Sequence, residues 1–129
     1  MVLELGMNTY SKDRVLIEGL TVLTTIGVYE WEKTIKQKLI IDLEMAWDNK
    51  PAGESDNVSL CLDYFVVSQT ITQLVECSNF ELIECVAERI AERIIQQFSV
   101  NWLKVKVSKQ NAIANARNVA VIIERTANK

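Results

Sequence analysis

The chain has 129 residues, of which 49% are hydrophobic and 24% are charged, a composition typical of one globular domain with a single core. Its 14 basic and 17 acidic residues give a net charge of −3 without a cluster of positive charge, so a nucleic-acid partner is not expected. No apolar run approaches the roughly 20 residues that cross a bilayer, and the start of the sequence lacks the pattern of a secretory signal. We therefore expect a cytoplasmic protein with no membrane partner.

The chain contains no histidine, which excludes Ser-His-Asp and Cys-His nucleophiles and removes the usual imidazole ligands of catalytic zinc. Proton transfer must therefore rely on Lys, Glu, Asp, Tyr or Cys, and no metal site is expected. The three cysteines, Cys61, Cys77 and Cys85, form no C-x-x-C pair and cannot all pair with one another. We expect buried free thiols rather than a disulfide framework.

The first half of the predicted sheet lies near the N-terminus. Residues 1–13 show no regular apolar period, which predicts an extension outside a domain that spans residues 14–127. A high density of β-branched residues predicts a first strand over residues 15–25. Apolar residues alternate with others over residues 39–47, which predicts a second strand with one buried face.

A loop and two helices are predicted in the middle of the chain. Residues 48–56 include the only proline and are predicted to form an exposed loop. Helical spacing of apolar residues predicts a first helix over residues 64–77, with Asp63 placed to accept a hydrogen bond from a first-turn amide. The segment 78–81, SNFE, fits a capping box, so a second helix is predicted to follow almost immediately and to continue to Phe98.

Two further strands are predicted near the end of the chain. Leu103, Val105 and Val107 alternate with polar residues, and residues 119–124 form another β-rich run. The order β-β-α-α-β-β predicts an α+β fold, an antiparallel four-stranded sheet with both helices on one face. The free edges and the uncovered second face of such a sheet favour self-association, so a homo-oligomer is expected.

Lys109 and Glu84 are candidate site residues, each with a structural alternative. Lys109 continues the core-facing positions of its strand, so its ammonium is predicted to approach the core; the alternative is a lysine that extends past the strand end to solvent. Glu84 lies near the start of the second helix, where the positive end of the helix dipole stabilises a carboxylate. Its alternative is one acid of a solvated face shared with Glu88 and Glu92.

Tyr64, Glu32 and Gly27 are ambiguous from the residues alone. Tyr64 is either a boundary aromatic at a helix start or a site residue, and Glu32 is one acid of a charged turn. Gly27 indicates a bend or a bulge rather than a phosphate-binding loop, because no glycine-rich motif surrounds it.

Four motifs keep the order and spacing of one enzyme family across residues 15–125: TTIGVYEWE at 24–32, LDY at 62–64, FELIE at 80–84 and VSK at 107–109. On these motifs the chain resembles the dihydroneopterin aldolases. The resemblance implies the tunnelling fold, in which four subunits join their sheets into one barrel and two such rings stack as an octamer, with active sites between subunits. One departure follows the lysine, where Gln110 and Asn111 replace the family's usual proline and small residue.

The resemblance implies a folate-pathway lyase that binds a small pterin substrate. It would cleave 7,8-dihydroneopterin between C1′ and C2′ into 6-hydroxymethyl-7,8-dihydropterin and glycolaldehyde. Because the C6=N5 imine of the substrate accepts the electrons of the broken bond, neither a protein Schiff base nor a metal or other cofactor is needed. The same enamine intermediate permits epimerisation at C2′.

The resemblance also implies which residues bind the pterin. Glu84 anchors the ring, because its two carboxylate oxygens accept from the ring's amino group and the adjacent N–H. Ile83, through its main chain, and Leu62 complete the walls of the pterin slot.

Three residues are carried over to the chemistry. Lys109 matches the family's general acid and base, which exchanges protons with N5 or a side-chain hydroxyl through water. Tyr64 relays a proton on the trihydroxypropyl side. Glu32 holds the substrate hydroxyls and is the counter-charge of Lys109.

Two other functions fit the same fold. A dihydroneopterin triphosphate 2′-epimerase would need basic residues near the side-chain pocket, whereas the YEWE turn that contains Glu32 supplies acids and aromatics. A non-catalytic pterin-binding or assembly module would not need Lys109, Tyr64, Glu32 and Glu84 together. The sequence therefore favours the aldolase.

Overall fold

The structure is a computed structural model that describes residues 12–127. Four antiparallel strands form one sheet in the order β1-β2-β3-β4. The strands are β1 (Arg14–Thr24), β2 (Gln37–Ala46), β3 (Trp102–Gln110) and β4 (Asn118–Thr126). The helices are α1 (Lys50–Ser55), α2 (Tyr64–Glu76) and α3 (Ile83–Phe98), with short 3-10 helices at Glu30–Thr34 and Val58–Leu60. This architecture confirms the predicted α+β fold class.

The core lies between one face of the sheet and the two long helices. Helix α2 packs on β1, and α3 packs on β3 and β4. The apolar side chains at odd-numbered positions of β2 and β3 are buried, as the alternation predicted, and each contributes about 1.5–3 kcal/mol by leaving water. Asp63 caps α2 as predicted, since its Oδ1 accepts from the amide of Val66 at 3.1 Å. The buried strand residues are Leu39, Ile41, Leu43, Met45, Leu103, Val105 and Val107.

The other face of the sheet is covered by none of the elements within residues 12–127. Leu16, Leu23 and Ile122 are exposed there. Charged side chains lie among them: Glu44 pairs with both Arg14 and Lys104, at 3.6 Å in each case. A single copy of the chain therefore presents a mixed apolar and charged sheet face to solvent.

The predicted start of the second helix is wrong. Helix α3 begins at Ile83, with Leu82 rather than Ser78 at the N-cap position. The hydroxyl of Ser78 instead donates to the carbonyl of Val75 at 2.7 Å, which closes α2. The carbonyl of Phe80 accepts from the amide of Gly27 at 3.3 Å, so this segment is held against the end of β1 and does not become helical.

The predicted loop over residues 48–56 contains the short helix α1, so this prediction was also wrong. Pro51 lies in the first turn of α1, where its missing N–H leaves no hydrogen bond unmade. The helix ends at Asp56, whose φ of 58° is left-handed and whose amide donates to Ala52 at 2.8 Å. The segment is largely exposed, as predicted.

The cysteines are free, but the prediction that they are buried is wrong. Cys77 is exposed because it occupies the C-cap position of α2, where the chain leaves the core. Cys61 and Cys85 are half-buried.

The described N-terminal residues join the fold at Asp13. Its carbonyl accepts from the amide of Trp47 at 3.4 Å, and its carboxylate accepts from the amide of Asn49 at 3.2 Å. Most of the predicted extension, residues 1–11, lies outside the described residues. None of the helices in the described part of the chain is long and apolar enough to cross a membrane.

Candidate active site

A cavity of about 480 Å³ opens where the end of β1, the start of α3 and the loop between β3 and β4 meet. Its volume is within the range of small-molecule sites. Four of the six predicted site residues line it: Glu32, Ile83, Glu84 and Lys109.

Lys109 lies on the core-facing side of β3, where it pairs with Leu39 of β2. Its side chain is only 15% exposed, and Nζ lies 2.6 Å from Oε2 of Glu32. The alternative of a solvent-extended lysine is therefore wrong. The strand positions a cation inside the cavity wall.

Glu32 is buried although it belongs to the 3-10 helix Glu30–Thr34. Its Oε2 accepts from Lys109 and from Nε2 of Gln37, the latter at 3.2 Å, and its Oε1 accepts from the amide of Tyr29 at 3.3 Å. The hydrogen bond from Lys109 is the main cause that holds the pKa of the Glu32 carboxyl below its usual 4.5. Gln37 and Tyr29 act in the same direction, and together these donors outweigh the opposing effect of burial.

The depressed pKa of Glu32 predicts a specific acid sensitivity. Because the folded-state pKa lies below 4.5, the carboxylate stabilises the fold above that pH, and its contribution is lost as the pH falls through the folded-state pKa. We expect the free energy of unfolding of the parent protein to fall more steeply below pH 4.5 than that of Glu32→Gln, which cannot titrate there. Urea unfolding at a series of pH values measures both slopes, and equal slopes would contradict the prediction.

Gly27 leaves the space that the Glu32 carboxylate occupies. Its φ of +134° is a conformation that other residues rarely adopt, and a β-carbon added there would overlap the carboxylate. The predicted bend is therefore also a close approach between backbone and side chain. Any larger residue at this position would displace Glu32 from Lys109.

Glu84 and Ile83 form the first turn of α3 at the cavity wall. First-turn amides have no acceptor within their own helix, and the helix dipole there favours anionic groups. The Ile83 side chain is buried, so only its main chain is available to a ligand. Glu84 has no ion-pair partner among residues 12–127, whereas Glu88, further along the helix, forms a two-point ion pair with Arg125.

Tyr64 and Leu62 are not brought into this cavity by a single copy of the chain. Tyr64 is the first residue of α2, and it is 61% exposed. Leu62 is 3% exposed, with its side chain in the core of its own subunit. The structure therefore assembles four of the predicted site residues and leaves Tyr64 and Leu62 outside the cavity.

Several cavity residues were not singled out from the sequence. Gln37 binds Glu32, and the rings of Tyr29 and Trp31 stack with centroids 6.4 Å apart at the rim. Glu81 also lines the cavity, and its ion pair of 3.1 Å with Lys33, which lies outside the cavity, links the 3-10 helix to the segment before α3. Only the aromatic turn carries a sequence signal, since an isolated Gln or an acid on a loop is ordinary.

The family model for dihydroneopterin aldolase matches residues 15–124. The chain belongs to the dihydroneopterin aldolase family. It is 54% identical to the dihydroneopterin aldolase of Haemophilus influenzae over 113 residues, which cover 88% of this chain and 96% of the relative. It is 52% identical to that of Escherichia coli K12, with 88% and 93% covered.

A solved structure supports the same membership. The E. coli dihydroneopterin aldolase in complex with neopterin superposes with a TM-score of 0.85 at 52% identity, and the match covers 88% of this chain and 98% of that one. These similarities confirm the predicted family and its assignment to the lyases of folate biosynthesis.

Proposed function

We propose that this chain cleaves 7,8-dihydroneopterin into 6-hydroxymethyl-7,8-dihydropterin and glycolaldehyde in the cavity described above. The observation that carries the proposal is that the Lys109–Glu32 pair and the first turn of α3 line the same cavity. Lys109 can transfer protons there, and the carboxylate of Glu84 in the same cavity can accept hydrogen bonds from a pterin. The E. coli relative of known structure was crystallised with neopterin.

In the proposed complex, Glu84 binds the pterin ring. Its carboxylate accepts from the ring's amino group and the adjacent N–H, a charge-assisted pair that fixes the orientation of the ring. The main chain of Ile83 adds a further polar contact. With the ring anchored at α3, the trihydroxypropyl side chain extends toward Glu32 and Lys109.

The proposed reaction begins when a base removes the proton of the C2′ hydroxyl. The C1′–C2′ bond then breaks, its electrons move into the C6=N5 imine, and N5 takes up a proton. Glycolaldehyde leaves with C2′ as its aldehyde carbon, and an enamine remains. Protonation of that enamine at C1′, with loss of the N5 proton, restores the imine and yields 6-hydroxymethyl-7,8-dihydropterin.

Lys109 is the proposed proton carrier, acting at N5 or at a side-chain hydroxyl through water. Glu32 holds the substrate hydroxyls and keeps the ammonium in place, because its Oε2 lies 2.6 Å from Nζ. Tyr64 is the proposed proton relay on the side-chain end of the substrate. Leu62, whose side chain is buried in its own subunit, would complete the wall of the pterin slot through its main chain.

We propose that a second copy of the chain supplies Tyr64 and Leu62 to each site. Val58, Tyr64 and Phe65 are large exposed side chains, and Leu82 is exposed where it lines the cavity. Joining β1 of one copy to β4 of the next would satisfy the free sheet edges and bury the uncovered sheet face. A tetrameric ring, with two rings stacked as an octamer, is the assembly that we propose.

The proposed function is tested by supplying 7,8-dihydroneopterin and measuring glycolaldehyde with a coupled dehydrogenase, while chromatography follows the pterin products and the C2′ epimer. The triphosphate ester is the comparison substrate. We expect it to be the poorer one, because Glu32, Glu81 and Glu84 line the cavity and Lys109 is already paired. Epimerisation of the triphosphate without release of glycolaldehyde would instead identify an epimerase.

Mixed oligomers test the shared site. A heteromer of Tyr64→Phe and Lys109→Ala subunits should recover turnover, because some sites receive an intact Lys109 from one copy and an intact Tyr64 from another. A heteromer of Glu32→Ala and Lys109→Ala should not, because both residues line the same cavity of one copy. Co-expression with two affinity tags provides both heteromers, and equal recovery in the two would contradict the shared site.

Metal independence is a further prediction. It rests on the absence of histidine and on the electron-accepting imine of the substrate. We expect EDTA treatment followed by desalting to leave turnover unchanged. Loss of turnover that one divalent metal restores would contradict the proposed mechanism.

A further inference from the structure

We propose that Gln37 is a positioning residue: it holds the Glu32 carboxylate in the orientation from which that carboxylate pairs with Lys109. The kinetic part of this inference rests on the proposed function. Its structural part concerns only how Glu32 is held.

The Gln37 carboxamide bridges the main chain and the Glu32 carboxylate. Its Nε2 lies 2.7 Å from the carbonyl oxygen of Ile26 and 3.2 Å from Oε2 of Glu32. Both partners only accept, so the nitrogen uses both of its N–H groups, and this fixes which way the amide points. Oε2 of Glu32 is thereby fastened to the backbone at the end of β1.

The position of Gln37 in the sheet explains why it reaches the same oxygen as Lys109. Gln37 is the first residue of β2 and pairs with Thr24, whereas Leu39, two positions later, pairs with Lys109. Residues two apart in a strand point to the same face, so Gln37 and Lys109 reach Glu32 from neighbouring strands of one sheet. The sheet therefore positions the carboxylate of Glu32, although Glu32 itself belongs to the 3-10 helix Glu30–Thr34.

The charges around Glu32 show what loss of Gln37 would do. Lys109 faces the carboxylate from β3, while Glu81 and Glu84 line the same cavity from the segment before α3 and from α3 itself. Lys33, which lies in the same 3-10 helix as Glu32, pairs with Glu81. Without the Gln37 donor, the ionised form of Glu32 loses stabilisation, so its pKa rises and its Oε2 keeps Lys109 as its single donor.

The test replaces Gln37 with a residue of similar length that has no donor, Gln37→Met, with Gln37→Leu as a second variant. We expect kcat to fall about tenfold with KM close to the parent value, as when a reacting group is misplaced without loss of substrate contacts. The acid limb of the pH profile of kcat/KM should move to higher pH. In a Glu32→Ala background, the same substitution should cause little further loss, because its effect passes through Glu32.

Thr24→Val is the matched control. Thr24 pairs with Gln37 across the sheet and is fully buried, but its hydroxyl donates to the carbonyl of Val75 at 2.6 Å, away from Glu32. The substitution Thr24→Val removes this buried hydrogen bond at the same end of the sheet as Gln37. We expect Thr24→Val to lower the melting temperature while kcat and the acid limb stay at parent values.

Two readouts separate this inference from the proposed function. A ¹³C NMR titration of the Glu32 carboxyl needs no turnover, and its midpoint should rise in Gln37→Met. If the midpoint, kcat and the acid limb of Gln37→Met all equal those of Thr24→Val, then Gln37 only stabilises the end of the sheet and the inference is overturned. If the parent protein releases no glycolaldehyde but the midpoint still rises, the proposed function fails and the positioning of Glu32 by Gln37 stands.

Discussion

Replacing Lys109 with alanine is expected to reduce the single-turnover rate of cleavage by about a hundred- to ten-thousand-fold, the usual contribution of general acid and base catalysis. Lys109 is the only basic side chain that lines the cavity within the described residues, so no second lysine or arginine of the same copy can replace it in proton transfer. Affinity for the pterin should change far less, because Glu84 and the start of α3 remain. Rapid-quench kinetics and equilibrium titration with neopterin measure the two quantities.

Lys109→Arg separates charge from proton transfer. A guanidinium restores the ion pair with Glu32 but does not readily release a proton, so it should rescue turnover poorly. Lys106→Ala is the control: Lys106 lies on the same strand but faces the other side of the sheet. If Lys109→Arg turns over dihydroneopterin like the parent protein, Lys109 is an electrostatic anchor, and Tyr64 with bound water becomes the better candidate for the proton carrier.

Replacing Glu84 with alanine is expected to weaken pterin binding by about 2 to 3 kcal/mol, the cost of losing hydrogen bonds to a charged group. This corresponds to roughly 30- to 150-fold in Kd. Glu84→Gln should also bind poorly, because its amide nitrogen would face ring donors with donors of its own. Calorimetric titration with neopterin measures all of these affinities.

The control for Glu84 is Glu92→Ala on the same helix. The Glu92 carboxylate is exposed, and its ion pair with Arg89 is long, at 4.0 Å. We expect Glu92→Ala to bind like the parent protein. If both Glu84 variants also bind like the parent, Glu84 belongs to the solvated acidic face of α3 after all.

The location of Lys109 could be predicted from sequence because it depends on strand alternation alone. Once residues 103 to 107 are assigned to a strand, the face of residue 109 follows. The burial of Glu32 could not be predicted in the same way. It depends on a lysine 77 positions away, on the amide of Gln37 and on the space left by Gly27, and no local pattern records those contacts.

Local patterns misled where one residue had two possible partners. Ser78 fits the start of a capping box, but its hydroxyl is taken by Val75 at the end of the preceding helix. Similarly, the proline and glycine of residues 48–56 suggest a loop, although Pro51 in a first helical turn is favourable. In each case the outcome was decided by hydrogen bonds that the one-dimensional pattern leaves open.

Two links join residues 27–33 to the segment before α3, and they bear on how genes of this family recombine. The amide of Gly27 donates to the carbonyl of Phe80, and Lys33 pairs with Glu81. Two stretches about 50 positions apart in sequence are therefore held together. A crossover between codons 34 and 79 would take the partners of each link from different parents. The main-chain bond does not depend on side chains and would survive the exchange, whereas the exposed ion pair would be lost where the parents differ at position 33 or 81. Chimaeras that keep positions 33 and 81 from one parent should therefore be slightly more stable than those that separate them.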